Sequence, residues 1–152
     1  MADKNAEIQA LQGIATGLIA QSIGHRMHGL VFGAQGLTKL ADKYATHAEE
    51  EMAWVEKFAN RILDLGGELK LEGLPAAPVC TDIEDYLKSE KKVSEEGIAQ
   101  VMELMPLFAQ DLVAYEDMKA YLIDEDADLQ ETNKDLDLIA LVGKQNWILQ
   151  QL

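Results

Sequence analysis

Residues 37–65, with the sequence LTKLADKYATHAEEEMAWVEKFANRILDL, decide the fold of this chain. Apolar side chains recur along this stretch at intervals of three and four residues: Leu37, Leu40, Tyr44, Phe58, Ile62 and Leu65. That spacing is the period of an amphipathic α-helix, and no proline interrupts it. Glu51 falls on the same stripe, so we expect a long helix that directs one acidic side chain into the protein core.

Three further long segments and one short one have the same helical period. The predicted helices are approximately Glu7–Ala34, Leu37–Leu65, a third that begins after a cap at Thr81 or Asp82, Phe108–Ile139 and a short tail, Lys144–Leu152. Glycines mark the first reversal, Pro106 interrupts the chain before the fourth segment, and a long non-helical link, residues 68–80, lies between the two pairs. Two antiparallel hairpins joined by one crossover predict an all-α four-helix bundle, with residues 1–152 in a single domain.

The composition excludes several classes of function. The 152 residues include 27 acidic and 13 basic side chains, for a formal net charge of −14. Such a surface repels nucleic acids and anionic membranes, and no apolar run is long enough to cross a bilayer. Cys80 is the only cysteine, so no intramolecular disulfide can form. Because the N-terminal residues also do not resemble a signal peptide, we expect a cytoplasmic protein without nucleic-acid or membrane partners.

Polar side chains also interrupt the apolar stripes of the other long segments. They are His25 in the first segment, Glu90 and Ser94 in the third, and Glu125 in the fourth, with Asp128 three residues further on. Several carboxylates that meet in one core repel each other unless they are protonated or bridged by cations. Oxygen and imidazole ligands suit iron, manganese or zinc, so the pattern predicts a metal site. The alternative is that these residues face solvent or pair with Lys or Arg, and that His25 is a hydrogen-bonded core histidine.

Six short stretches, taken in their order and spacing, resemble the bacterioferritin family along almost the whole chain. They are residues 35–41 (QGLTKLA), 47–52 (HAEEEM), 61–63 (RIL), 72–75 (EGLP), 82–87 (DIEDYL) and 142–149 (VGKQNWIL). The resemblance implies a ferritin-like four-helix bundle with a short C-terminal fifth helix. It also implies dimer units within a hollow homo-oligomer of up to 24 subunits that oxidises and stores iron.

The resemblance further implies a di-iron site, of which this chain retains only part. Glu51 and Glu125 stand at the positions of the two bridging carboxylates, and Asp128 stands where the family has a histidine. Side chains that cannot replace the family's ligands stand at the three other positions: Leu18, Trp54 and Ser94. We therefore expect an impaired or altered ferroxidase centre, with His25 and Glu90 one turn away as candidate substitutes and Glu95 close by. The residual set predicted to bind metal is His25, Glu51, Glu125 and Asp128.

Met52 points to a second cofactor. The family places an axial haem ligand directly after the glutamate of the second helix, and two protomers supply it across a two-fold axis. Independently, the second segment has another stripe of mostly small apolar residues: Ala45, Ala48, Met52, Val55 and Ala59. A helix that is apolar on two faces must bury both, which predicts a subunit interface. We expect haem b on Met52 with Ile19, Ile23 and Met27 as pocket lining; the alternative is dry packing of Met52.

These observations predict an iron-storage subunit that binds haem at a dimer interface. A companion subunit with an intact ferroxidase centre is a predicted partner, and Glu50, close to His47, is a candidate for binding iron inside a cavity. Two other functions fit the same residues. One is a ferritin-like metal oxidase or peroxidase with a rearranged site that includes His25. The other is a metal-free scaffold in which Glu51 and Glu125 are protonated and hydrogen-bonded.

Overall fold

The protein is built from two long helical hairpins and a short terminal helix. The computed structural model describes residues 3–152, and no β-strand occurs in that range. The helices are α1 (Lys4–Ala34), α2 (Thr38–Asp64), α3 (Ile83–Leu104), α4 (Leu112–Val142) and α5 (Lys144–Leu149), with one 3₁₀ turn at Met105–Phe108. The prediction of an all-α four-helix bundle with a short fifth helix is confirmed.

The starts of α1 and α4 differ from the predicted ones, and in each case an aspartate side chain caps the helix. α1 begins at Lys4 because the Asp3 carboxylate accepts a hydrogen bond from the Ala6 amide at 3.2 Å. α4 begins at Leu112 and not at Phe108. Proline cannot donate from its nitrogen, so the chain forms the 3₁₀ turn around Pro106, and Asp111 then caps α4 by accepting from the Ala114 amide at 3.1 Å.

Buried apolar side chains form two clusters, one toward each end of the bundle. The lower cluster includes Leu11, Leu18, Phe58, Ile62, Phe108 and Met118. The upper cluster includes Phe32, Leu40, Tyr44, Leu87 and Trp147, the last contributed by α5. Between them lies a band of buried or half-buried polar side chains, here called the polar layer: Ser22, His25, Glu51, Glu90, Ser94 and Glu125. The layer divides the core at the level where all four long helices contribute.

Close packing of α1 against α2 fixes the axial register of the first hairpin. A β-carbon on Gly29 would lie 3.3 Å from the Ala41 carbonyl oxygen, so only glycine allows this approach without movement. About two turns before Gly29, the Ser22 hydroxyl donates a 2.7 Å hydrogen bond to the Ala48 carbonyl. Both contacts hold the middle of α1 level with the middle of α2, which brings His25 opposite Glu51.

A buried ion pair joins α2 to the start of α4 at the lower end of the bundle. Arg61 donates to both carboxylate oxygens of Asp111, with distances of 3.1 Å from Nε and 2.5 Å from Nη2. Glu7 is fully buried beside them, and burial together with the negative charge of Asp111 raises its pKa. The Glu7 carboxyl group therefore holds its proton to a higher pH than a free glutamate does, whereas the Arg61 guanidinium keeps the pKa of Asp111 below its usual value.

The link between the hairpins runs along the surface without helix or strand. Most of residues 68–80 are exposed, and Leu71 is 96 % exposed. Gln12 of α1 holds the link through two hydrogen bonds with the backbone of Lys70, at 3.0 and 3.2 Å. None of the helices within residues 3–152 combines the length and hydropathy that a bilayer span requires.

Two helix caps allow a matched test of burial. Asp111 and Asp82 each cap a helix and each pair with a cation, but Asp111 is buried whereas Asp82 and its partner Lys144 are partly exposed. We expect Asp111→Ala to lower the free energy of unfolding by about 3 kcal/mol, because it removes the cap and leaves Arg61 without its main partner. Asp82→Ala should cost only about 1 kcal/mol. Urea unfolding measures the free energy of unfolding of both variants. Equal losses would contradict the conclusion that burial makes the Asp111 ion pair the stronger of the two.

Candidate functional site in the polar layer

Each long helix supplies a polar side chain to the same level of the bundle. Glu51 of α2 and Glu125 of α4 are 7 % and 8 % exposed, so neither reaches bulk water. His25 of α1 is also buried, and it lies between Glu51 of α2 and Glu90 of α3. α3 contributes Glu90 and, one turn later, Ser94. Four helices therefore converge on one polar centre, as the interruption of each apolar stripe indicates.

His25 bridges two carboxylates from two other helices. Its Nδ1 lies 2.7 Å from Glu51 Oε2, and its Nε2 lies 2.6 Å from Glu90 Oε2. A carboxylate accepts hydrogen bonds, so donation from both ring nitrogens corresponds to the charged imidazolium form. Burial by itself would lower the pKa of His25, but the hydrogen bonds to Glu51 and Glu90 outweigh burial and raise that pKa to about 10. His25 is thus a buried cation at neutral pH.

Aromatic side chains hold the imidazolium and one of its partners. The Tyr44 ring stacks on the His25 ring, with 5.7 Å between centroids and an interplanar angle of 12°. Burial acts to raise the pKa of Glu90, but hydrogen bonds from His25 and Tyr86 reverse this and lower it. Burial raises the pKa of Glu51 in spite of His25. The negative charge that compensates His25 therefore rests most firmly on Glu90.

Glu125 lies on the opposite side of the same small cavity. Its Oε1 accepts a hydrogen bond from Ser94 Oγ at 3.2 Å. Burial and the negative charges of Glu51 and Glu90 raise the pKa of Glu125 to about 7, although the bond from Ser94 acts in the other direction. At neutral pH this carboxyl group is consequently protonated in a large fraction of molecules.

The space among these side chains is almost completely filled. The volume of this cavity is about 10 Å³. The polar side chains in its lining include His25, Glu51, Glu90, Ser94, Glu125 and Asp128. This volume is at the lower limit for a single water molecule. Any metal ion at this level would therefore have to displace existing hydrogen bonds before it could bind.

Asp128 lies at the edge of this cavity and faces a different neighbour. Its Oδ1 is 4.0 Å from Nε2 of His47, which is on α2 one turn before Glu51. Burial and the charges of Glu125 and Asp124 raise the pKa of Asp128 to about 7. The four residues predicted to bind metal thus separate into three contacts: His25 with Glu51, Glu125 with Ser94, and Asp128 with His47 toward the surface.

The residues that replace the family's ligands fill space or bond elsewhere. Leu18 is 2 % exposed and belongs to the lower apolar cluster. The Trp54 ring packs 5.7 Å from the Tyr121 ring, and its Nε1 donates to Asp124 Oδ2 at 3.1 Å. Both side chains lack an atom that can ligate a metal, so they close the lower side of the polar layer with apolar surface.

Two polar residues of this region did not belong to the predicted ligand set. Glu90 was one of two substitutes suggested by the α3 stripe; it bonds to His25, whereas Glu95 is exposed. His28 was not singled out at all. Its Nδ1 donates to the Gly24 carbonyl at 2.7 Å, and its Nε2 accepts from the Cys80 amide at 2.9 Å. Because both ring nitrogens are occupied, His28 acts as a structural residue that holds the end of the link.

The predicted haem-binding residues lie on the outside of the first hairpin. Met52 is 38 % exposed and points away from Glu51, its buried neighbour in sequence. Ile23 and Met27 of α1 are 47 % and 41 % exposed. Ile19 is partly buried and packs against the lower apolar cluster. An apolar surface with an accessible thioether therefore exists on this chain.

Glu125 gives the polar layer a measurable pH dependence. Its pKa is about 7 in the folded protein and about 4.3 in an unfolded chain, so folding binds the proton and stability falls as the pH rises from 4.3 through 7. Glu125→Gln cannot ionise and keeps an acceptor for Ser94. In a buffer with a metal chelator, we expect this variant to be more stable than the unmodified protein by about 2 kcal/mol at pH 8.

Urea unfolding from pH 4 to 8 measures this effect. The pH-dependent difference between Glu125→Gln and the unmodified protein should nearly disappear near pH 4, where Glu125 is protonated in the folded state and in most unfolded chains. Asp126→Asn, a substitution at an exposed position of the same helix, should show no such pH-dependent gain. A gain of the same size at pH 4 and pH 8 would contradict the assigned protonation.

Comparison with known proteins agrees with this architecture. The ferritin-like domain family matches residues 10–142. The chain is 28 % identical over 155 aligned residues to the bacterial ferritin of Neisseria meningitidis serogroup A / serotype 4A, with 100 % of both chains covered. It has the same identity and coverage against the bacterial ferritin of Neisseria gonorrhoeae. The family match spans most of the four-helix bundle, and the chain therefore belongs to the ferritin family.

Proposed function

We propose that this protein is an iron-storage subunit whose buried centre is occupied by the His25 imidazolium in place of a metal ion. In this proposal the chain contributes to a ferritin shell and stores iron that is oxidised elsewhere. The observation that carries the proposal is the pair of short hydrogen bonds from His25 to Glu51 and Glu90. A buried cation already satisfies the carboxylates that an iron ion would need.

Charge and space both favour the closed centre. A divalent cation that bound to Glu51 would have to break the bond from His25 and expel a proton from a ring whose pKa is about 10. It would also need about four ligands, and Leu18 and Trp54 supply none. The cavity of about 10 Å³ offers no room for the water molecules that would complete the coordination shell.

Iron storage is supported by the family and by the relatives called bacterial ferritin. Ferritins generally act as oligomers, and this chain has apolar side chains that a single protomer leaves exposed. They include Ile23, Met27, Leu30, Met52 and Leu141. Burial of such surface between protomers is the usual driving force for assembly. We therefore propose a cytoplasmic homo-oligomer of dimer units, up to a 24-subunit shell, that works with a companion subunit able to oxidise iron.

The outer face of the first hairpin suits haem b. Met52 offers an accessible thioether sulfur, and exposed Ile23 and Met27 offer apolar surface for a flat ring. In a two-fold dimer the same face of the second protomer would cover the other side of the ring. Bound haem supplies one-electron transfer, which would let electrons reach stored iron. The role of this chain's residues is to ligate the haem through Met52 and to exclude water around it.

A second candidate function is a rearranged metal oxidase site made from His25, Glu51, Glu125 and Asp128. The observation in its favour is that all four side chains line the same cavity. Burial and mutual repulsion raise the pKa of both Glu125 and Asp128 to about 7, which indicates a concentration of negative charge that a cation would relieve. This candidate requires His25 to lose its proton when metal binds.

Iron oxidation by the purified oligomer separates the two candidates. We expect ferrous iron to oxidise in air no faster with the protein than in buffer alone, because no di-iron centre can form. Glu51→Gln should leave that rate unchanged. The control is Glu96→Gln, at an exposed position of α3. A rapid phase of oxidation, stoichiometric with the chain and lost in Glu51→Gln, would instead establish the rearranged site.

Haem reconstitution tests the outer face. We expect one haem to bind for every two chains and Met52→Leu to abolish the visible spectrum of the reduced complex, because leucine has no ligand atom. Met102→Leu is the matched control, since Met102 is an exposed methionine on α3. Absence of haem from the unmodified protein after expression with ample haem precursor would contradict this part of the proposal and favour dry packing of Met52.

A further inference from the structure

A second group of side chains able to bind a metal ion lies outside the polar layer, in a groove between α2 and α4. Here called the α2–α4 groove, it has a volume of about 440 Å³. α2 contributes Lys39, Lys43, His47 and Glu50 to its lining, and α4 contributes Asp124, Asp128 and Glu131. Unlike the filled cavity of the polar layer, this groove has space for an ion together with bound water molecules.

Three residues of the groove have the spacing of metal ligands. One nitrogen of His47 and one carboxylate oxygen each from Asp128 and Glu131 all lie within 4.8 Å of one another. The His47 Nε2 to Asp128 Oδ1 distance is 4.0 Å, which is too long for a hydrogen bond. Two atoms that bind one ion at about 2.1 Å lie about 3.0 to 3.4 Å apart when they are neighbouring ligands, so these two side chains would move together by less than about 1 Å when an ion binds.

The His47 ring is held in place, and within residues 3–152 it has no hydrogen-bond partner. It lies edge-on to the His25 ring, with 5.7 Å between centroids, and edge-on to the Tyr44 ring at 6.1 Å. Among residues 3–152, the acidic side chain within 4.0 Å of a ring nitrogen of His47 is that of Asp128. Burial and the positive charges of His25 and Lys43 lower the pKa of His47. The imidazole is therefore neutral, and this is the form that ligates metals.

We propose that His47, Asp128 and Glu131 form a binding site for one divalent transition-metal cation in the α2–α4 groove, separate from the polar layer. One imidazole and two carboxylates are ligands for Fe²⁺, Co²⁺ or Zn²⁺ and do not favour Ca²⁺ or Mg²⁺, which take oxygen ligands. Water would complete the coordination from the open side. The binding site stands on its own geometry; its assignment to Fe²⁺ as the natural ion rests on the proposed function in iron storage.

Lys43 competes with the ion for one of the three ligands. Its Nζ lies 3.3 Å from Glu131 Oε1 and 3.4 Å from Asp135 Oδ2. When a cation binds, Glu131 turns toward it, and Lys43 keeps Asp135 as its partner. The competition has a testable consequence: removal of the Lys43 charge should strengthen metal binding, whereas removal of the His47 nitrogen should weaken it.

Cobalt is the probe for this site, because Co²⁺ does not oxidise readily in air and its visible absorption reports on coordination. The full-length protein is titrated with Co²⁺ at pH 7.5, and bound metal is counted by equilibrium dialysis. We expect one site for each chain. His47→Gln should weaken binding at least tenfold, and Lys43→Gln should strengthen it about fivefold. Glu49→Gln, on α2 but outside the groove lining, is the matched control and should have no effect.

Glu51→Gln distinguishes failure of this inference from failure of the proposed function. One site that is lost in His47→Gln and retained in Glu51→Gln supports both. Two sites, each lost in one of the variants, support the groove site and contradict the closed centre. A single site that is lost only in Glu51→Gln overturns both. Absence of any bound Co²⁺ overturns the groove site and leaves the closed centre standing.

Discussion

The hydrogen-bonded trio of Glu51, His25 and Glu90 is the interaction on which the interior of this protein depends. Two carboxylates from different helices cannot remain charged in a protein core without a cation, since desolvation of each costs several kcal/mol. In this chain the cation belongs to the protein, because His25 donates from one ring nitrogen to each carboxylate. Glu51, which stands where the resemblance implies a metal-bridging carboxylate, is thus paired with an imidazolium held at a fixed position.

The two hairpins place these groups level with one another. Gly29 allows α1 to approach α2 closely, and the Ser22–Ala48 hydrogen bond sets their relative height. Apolar clusters above and below then enclose the polar layer and exclude water, which strengthens every charge interaction within it. Leu18 and Trp54 extend the lower apolar surface to positions where ligands would otherwise stand. In the proposed function, these two apolar side chains and the hydrogen bonds of His25 act together to favour a centre without metal.

In the proposed function, the interior holds no metal ion, and it is the surface of the bundle that interacts with iron and cofactors. The outer face of the first hairpin presents Met52 and its apolar neighbours, and the α2–α4 groove presents His47 with two carboxylates. The net charge of −14 surrounds both regions with a field that attracts cations. A subunit of this kind can contribute binding surface to a shell without carrying out the oxidation itself.

The sequence by itself determined the helical architecture and the buried positions of Glu51 and Glu125, because apolar periodicity and helix breakers depend only on neighbours along the chain. It also identified His25 and Glu90 as polar groups on apolar stripes. It did not determine the start of α4, where the Asp111 cap prevailed, or the partners of each polar group. Only the tertiary structure showed that His25 takes Glu51 and Glu90 as partners and that Asp128 turns to His47. The reason is physical: which side chains meet across a bundle depends on the axial shift between helices. Packing contacts such as the one at Gly29 fix this shift, whereas the periodicity of the sequence does not determine it.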